Sequence, residues 1–189
     1  MSEEIRSAIL RVLPFIIVLI AITVLIRNKK ITTQAFYLNK PVSKLTYFIW
    51  VGAFLVYSIL TDFILYKTGN LEIAKWDHKL LPSIILITGA VILGPLVEEL
   101  LFRARIFDLM IRWFKNLHLA NFVQACIFVL LHHFTYLNTN SSYIDIVQSL
   151  GDAILFGYAR IYTRSIYTST TMHMTGNLIA TIERFIFQL

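Results

Sequence analysis

Six apolar runs, each near the length a helix needs to cross a hydrocarbon core, follow one another along the chain with short connections: Ala8–Ile26, Leu45–Tyr66, Leu81–Val97, Leu119–Phe134, Ile144–Tyr162 and Ile166–Leu189. Backbone inside lipid must satisfy its own hydrogen bonds, which permits helices or closed barrels, and the two-residue alternation of barrel strands is absent here. The sequence therefore predicts an all-α fold: a polytopic membrane helix bundle of about six transmembrane helices, the third run continuing into a longer helix. Composition agrees, with 57% hydrophobic and only 15% charged residues. An ordinary soluble domain has about 25% charged residues.

The net charge of +6 is spread beside the apolar runs without forming a stripe. This excludes nucleic acid as a partner and leaves the basic residues as orientation signals. The connection from Arg27 to Lys44 holds five Lys/Arg, whereas Thr135–Tyr143 holds none. With the N-terminus outside, eleven of the seventeen Lys/Arg fall on the cytoplasmic side. Cys126 is the single cysteine, so no intrachain disulfide can form. The first run follows the acidic Ser2-Glu3-Glu4 and lacks a small-residue cleavage site, so it reads as a retained helix. One membrane domain is expected over 1–189, of which 1–80 carry no signature and 81–189 form the core with the polar motifs. Within the fifth run, Ala153 and Gly157 are a small-xxx-small pair where a neighbouring helix can approach closely.

The run Pro95-Leu-Val-Glu98-Glu99-Leu-Leu-Phe-Arg103 puts two carboxylates at the end of an apolar stretch. An ionised side chain at the bilayer centre costs about 2.5–3.5 kcal/mol on insertion scales, so such acids call for a partner and a function. Residues four apart share a helix face, which pairs Glu99 with Arg103, while Glu98 points about 100° away and is available for other work. Pro95 lacks an N–H, so a bend is expected before the acids, with nearby carbonyls left to other partners. The competing reading is an amphipathic surface helix formed by these residues with Arg105, Asp108 and Arg112.

Two further motifs follow. Phe128-Val-Leu-Leu-His132 ends the fourth run, and the adjacent His133, turned about 100° from it, reads as an interface residue. In the last run, His173-Met-Thr-Gly-Asn177 sets an imidazole and an amide one turn apart on a single face, among Thr168, Ser169, Thr170, Thr171 and Thr175. Taken alone, each motif is compatible with packing or interhelical hydrogen bonding. Together, three spans supply two carboxylates, one or two imidazoles and an imidazole–amide pair, enough to build a polar pocket in an apolar wall.

The order Glu-Glu-x-x-x-Arg, Phe-x-x-x-His, His-x-x-x-Asn resembles the signature of the CAAX-protease and bacteriocin-processing family of intramembrane proteases, also called Abi proteins. The resemblance extends over roughly Leu81–Leu178. It implies hydrolysis of a peptide bond in a membrane-associated peptide or protein. By the same resemblance Glu98 would activate water together with His132, His173 and Asn177 would stabilise the oxyanion, and Glu99 and Arg103 would orient the site. No cofactor is expected. Zinc is the alternative, held by Glu98, His132 and His173, although the His-Glu-x-x-His spacing of many zinc proteases is absent. A bacterial cell-membrane protein of the bacteriocin-maturation or self-immunity type is expected, with a peptide or membrane-protein substrate and the lipid bilayer as partners. Two other readings compete with it: a non-catalytic immunity or cell-envelope protein on the same fold, and a small transporter, which would carry inverted repeats that the sequence lacks.

Overall fold

Why the chain becomes six helices follows from its end signals as much as from its apolar runs. In a computed structural model, which describes residues 2–71, 73, 76–132 and 140–186 (with the side chains of 132 and 140–142 outside the description), the chain forms α1 Glu3–Arg27, α2 Lys44–Lys67, α3 Leu80–Phe114, α4 Leu117–His132, α5 Asn140–Thr163 and α6 Ile166–Ile186. Among the described residues there is no strand.

The Ser2 and Ser43 side chains accept from the Ile5 and Thr46 N–H groups and open α1 and α2. Asn116 accepts from the His118 and Leu119 N–H groups, both at 3.0 Å, and opens α4. Left-handed Lys115 and Arg164, at φ 51° and 53°, stop α3 and α5 and let each next helix fold back.

Both ends of the bundle are tied. At one end the Arg27–Lys44 connection packs Phe36 among Leu100, Ala104 and Ile166. There Ser165 Oγ donates to the Asn39 carbonyl at 2.6 Å and the Ile166 N–H to that of Tyr37 at 3.2 Å. Arg160 pairs with Asp108 and lies over the Tyr37 ring, 3.6 Å from its centroid. At the other end Glu4 accepts from the Lys79 N–H at 3.0 Å, and Trp76 packs on Phe185. The connections after α1, α3 and α5 therefore share one end of the bundle.

The helices α1, α2 and α3 are long and apolar enough to cross a membrane, and most of the α1 span is unburied, with Ile9, Leu10, Leu13, Ile16, Ile17 and Ile20 facing outward and Leu19, Ile22 and Ile26 packed on the core. The α4 helix is apolar but shorter. With 24 and 21 residues, α5 and α6 are long enough but more polar, and Arg160, Thr163, Thr168, Ser169, Thr170 and His173 among them are buried. The chain is an integral, multi-pass membrane protein.

The 35-residue α3 is continuous but not regular, widening into π-helical turns at Thr88–Leu93 and Leu100–Ile106 on either side of the glutamates. Such turns often mark functional sites. Of the expectation at Pro95, the freed carbonyl is present, and it has a partner. The Gly94 N–H bonds to Gly89 O, five residues back. In that register the next donor, for Ala90 O, would be residue 95, a proline with no N–H. Asn177 Nδ2 donates to Ala90 O instead, at 2.7 Å.

The small pair on α5 is used as expected, although the group filling the space is a side chain. Ala153 is fully buried, and a Cβ at Gly157 would stand 1.8 Å from Asn121 Oδ1. Buried Asn121 donates to Ile154 O at 3.0 Å, and Gln124 donates to Asn121 Oδ1 at 3.0 Å and to Ala153 O at 3.3 Å. This amide ladder holds α4 against α5.

Candidate active site

The site forms where α3, α4, α5 and α6 meet, and its centre is the imidazole of His173. Nδ1 lies 3.1 Å from Glu99 Oε1, and Nε2 lies 3.6 Å from Glu98 Oε2. The two glutamates project from α3 about 100° apart, and the ring nitrogens open in different directions, so one histidine meets both acids. Phe156 stacks on the ring at 5.1 Å and 23°, and Phe128 meets it edge-on at 5.9 Å.

Behind this pair lies the ion pair anticipated from the i, i+4 spacing. Glu99 and Arg103 are both fully buried, with Arg103 Nη1 3.0 Å from Glu99 Oε1. The guanidinium lies between two aromatic faces, 4.6 Å from the Phe128 centroid and 5.2 Å from that of Phe156, and its Nη2 donates to Ala153 O at 3.3 Å. Two buried charges are costly to desolvate unless tightly paired, and flat cation–π faces suit the guanidinium. Glu99 and Arg103 thus form a fixed platform behind His173, whereas Glu98 is partly exposed, with 19% of its side-chain surface open.

That exposure is to a cavity of about 690 Å³, lined by Glu98, His173, Asn177, Phe128 and Phe156 and continuing along α2, α5 and α6 past Asp62, Asp152 and Glu183. Asn177 reaches it with one amide N–H committed to Ala90 and the other unassigned. Five of the six residues singled out by the sequence motifs are thus brought together. The sixth, His132, closes α4 one turn beyond Phe128, and its side chain lies outside the described residues, as does all of His133.

Sequence reasoning passed over the polar residues on the far wall. Asp62 accepts from Gln148 Nε2 at 2.8 Å, and Asp152 lines the same cavity with its Oδ1 buried and without a hydrogen-bond partner. The signal was available: Asp62, Asp152 and Glu183 are acids inside expected spans, which the cost of membrane burial makes as noteworthy as Glu98. For a metal, Glu98 and His173 offer a carboxylate and an imidazole, but among the described residues no three His, Cys, Asp or Glu side chains are grouped to hold one.

A membrane helix bundle with a glutamate and a histidine at the wall of a cavity, backed by a buried glutamate–arginine pair, holds the acid–base groups that an intramembrane hydrolase uses. Residues 80–179, slightly more than half of the chain, match the family model described as type II CAAX prenyl endopeptidase Rce1-like, and the chain belongs to this family of intramembrane proteases. No curated protein and no solved structure matches it.

Proposed function

We propose that this protease hydrolyses its substrate with a water molecule activated by Glu98, without a metal ion. The observation that carries the reading is the contact of His173 with Glu98 on one ring nitrogen and Glu99 on the other, at the wall of the cavity. Glu98 is the carboxylate with open surface, so it takes the proton from water as the water oxygen attacks the scissile carbonyl carbon. Glu99, backed by Arg103, accepts from His173 Nδ1–H and fixes the ring. Both ring nitrogens donate only in the imidazolium form of His173; in that form Nε2–H and the second Asn177 N–H stand on the cavity side, where donors stabilise charge developing on the carbonyl oxygen. His132 is assigned as a partner of Glu98 from its motif alone.

The substrate proposed is a peptide or membrane protein presented within the bilayer, such as a bacteriocin precursor, and the host membrane a bacterial cell membrane. The description of the matched family makes a prenylated C-terminus the second class to test. Co-expression of candidate precursors with wild type and Glu98→Gln tests both. Product formed only by wild type from one class supports the reading, and equal product from the Glu98→Gln variant refutes it.

A further inference from the structure

The second half of the cavity lies beyond the catalytic motifs. Asp152, one residue before the Ala153 carbonyl that holds Arg103, lines the same cavity as Glu98 and His173. Its Oδ1 is buried without a hydrogen-bond partner. The Tyr57 hydroxyl of α2 stands beside this stretch of α5, since a Cβ at adjacent Gly151 would lie 3.4 Å from it. The charged groups facing Asp152 are His173 and Arg103, with Asp62 further along the wall. Asp62 differs in that its Oδ1 accepts from Gln148 Nε2, whereas Asp152 Oδ1 has no partner. A carboxylate oxygen that is buried and bare accepts one more donor, and a cation most strongly.

We propose that Asp152, beside the Tyr57 hydroxyl, is the substrate-binding residue that holds the nitrogen side of the scissile bond and then the ammonium of the product. The inference rests on the hydrolytic reading above. Water carries two protons. The first passes to Glu98 and from there to the leaving nitrogen as the C–N bond breaks. The second leaves the new carboxyl group and completes the ammonium, which Asp152 pairs with. This gives α2, outside the matched residues 80–179, a part in the site through Tyr57.

The test separates binding from cleavage. Affinity of the full chain in nanodiscs is measured for tetraleucine amide with a free N-terminus and for its N-acetyl form, in a Glu98→Gln background where turnover is blocked. The free amine is expected to bind at least tenfold tighter. Asp152→Asn should abolish that preference, Asp152→Glu restore part of it, and Asp62→Asn leave it unchanged. Should Asp152→Asn fail to fold, Tyr57→Phe serves, with a two- to fivefold loss of preference expected. Equal affinity for the two peptides, or a preference that survives both Asp152→Asn and Tyr57→Phe, would overturn the proposal. Amine preference in a protein that cleaves no substrate would refute the hydrolytic reading and leave the binding site standing.

Discussion

Asn177 donates to the Ala90 carbonyl across the α3–α6 interface at 2.7 Å, filling a backbone vacancy made by Pro95. The link is testable as a cycle. The bond is exposed on the cavity wall, where it is worth about 1 kcal/mol, and hydrogen bonds measured in membranes average nearer 0.6 kcal/mol. Asn177→Leu should lower stability by about 1 kcal/mol, and by less in a Pro95→Ala background, where residue 95 regains an N–H. Unfolding in mixed micelles measures both, and strictly additive losses would show that the bond does not replace the missing donor.

Glu98 and Glu99 are neighbours with different burdens. Removing one partner of a fully buried ion pair costs about 3–5 kcal/mol, so Glu99→Gln and Arg103→Met should lower melting temperature and accumulation sharply. Glu98→Gln, at the cavity wall, should accumulate like wild type while losing at least 100-fold in cleavage. Thermal melts beside cleavage assays separate the two, and equal destabilisation by Glu98→Gln would remove the distinction.

Gly157 makes room for Asn121. A methyl group there meets Oδ1 at 1.8 Å, and overpacking of this kind costs about 1–3 kcal/mol. Gly157→Ala should destabilise, and Asn121→Ala should relieve most of the added loss. Failure of the second change to relieve the first would mean that the strain lies elsewhere.

The ties between the Arg27–Lys44 connection, the Lys115 turn and the Arg164 turn predict one shared membrane face. In a Cys126→Ala background, cysteines placed at Lys30, Lys115 and Arg164 should all react with an impermeant maleimide from the cytoplasmic side and none from outside. Labelling of one from the opposite side would contradict the topology.

Much of this was legible in the sequence because the relevant signals are local. Apolar length marked the six helices, i, i+4 spacing marked the Glu99–Arg103 pair, and the missing proline N–H marked a carbonyl in need of a partner. Long-range facts were not legible: which donor meets Ala90, or that one imidazole spans both glutamates, depends on how α6 crosses α3. The expectation that Glu98 points away from its neighbour is correct for the helix, yet His173 is wide enough to touch both. The π-helical turns have no clear local signature, since each inserts a residue into a helix without a change in apolar pattern. The rise per residue did carry information. Glu99 stands about 24 Å along α3 from the Lys115 turn and His173 about 13 Å from Arg164. Because the two side chains touch, the α3–α4 turn stands farther from the site along its helix, and its residues Arg112 to Leu119 are exposed.

The most direct measurement is cleavage of co-expressed candidate peptides and membrane proteins by wild type, Glu98→Ala and His173→Ala, once all three are shown to insert and accumulate equally. A product from wild type that disappears in both variants is expected. A product that persists in either variant would contradict a hydrolytic site built on Glu98 and His173.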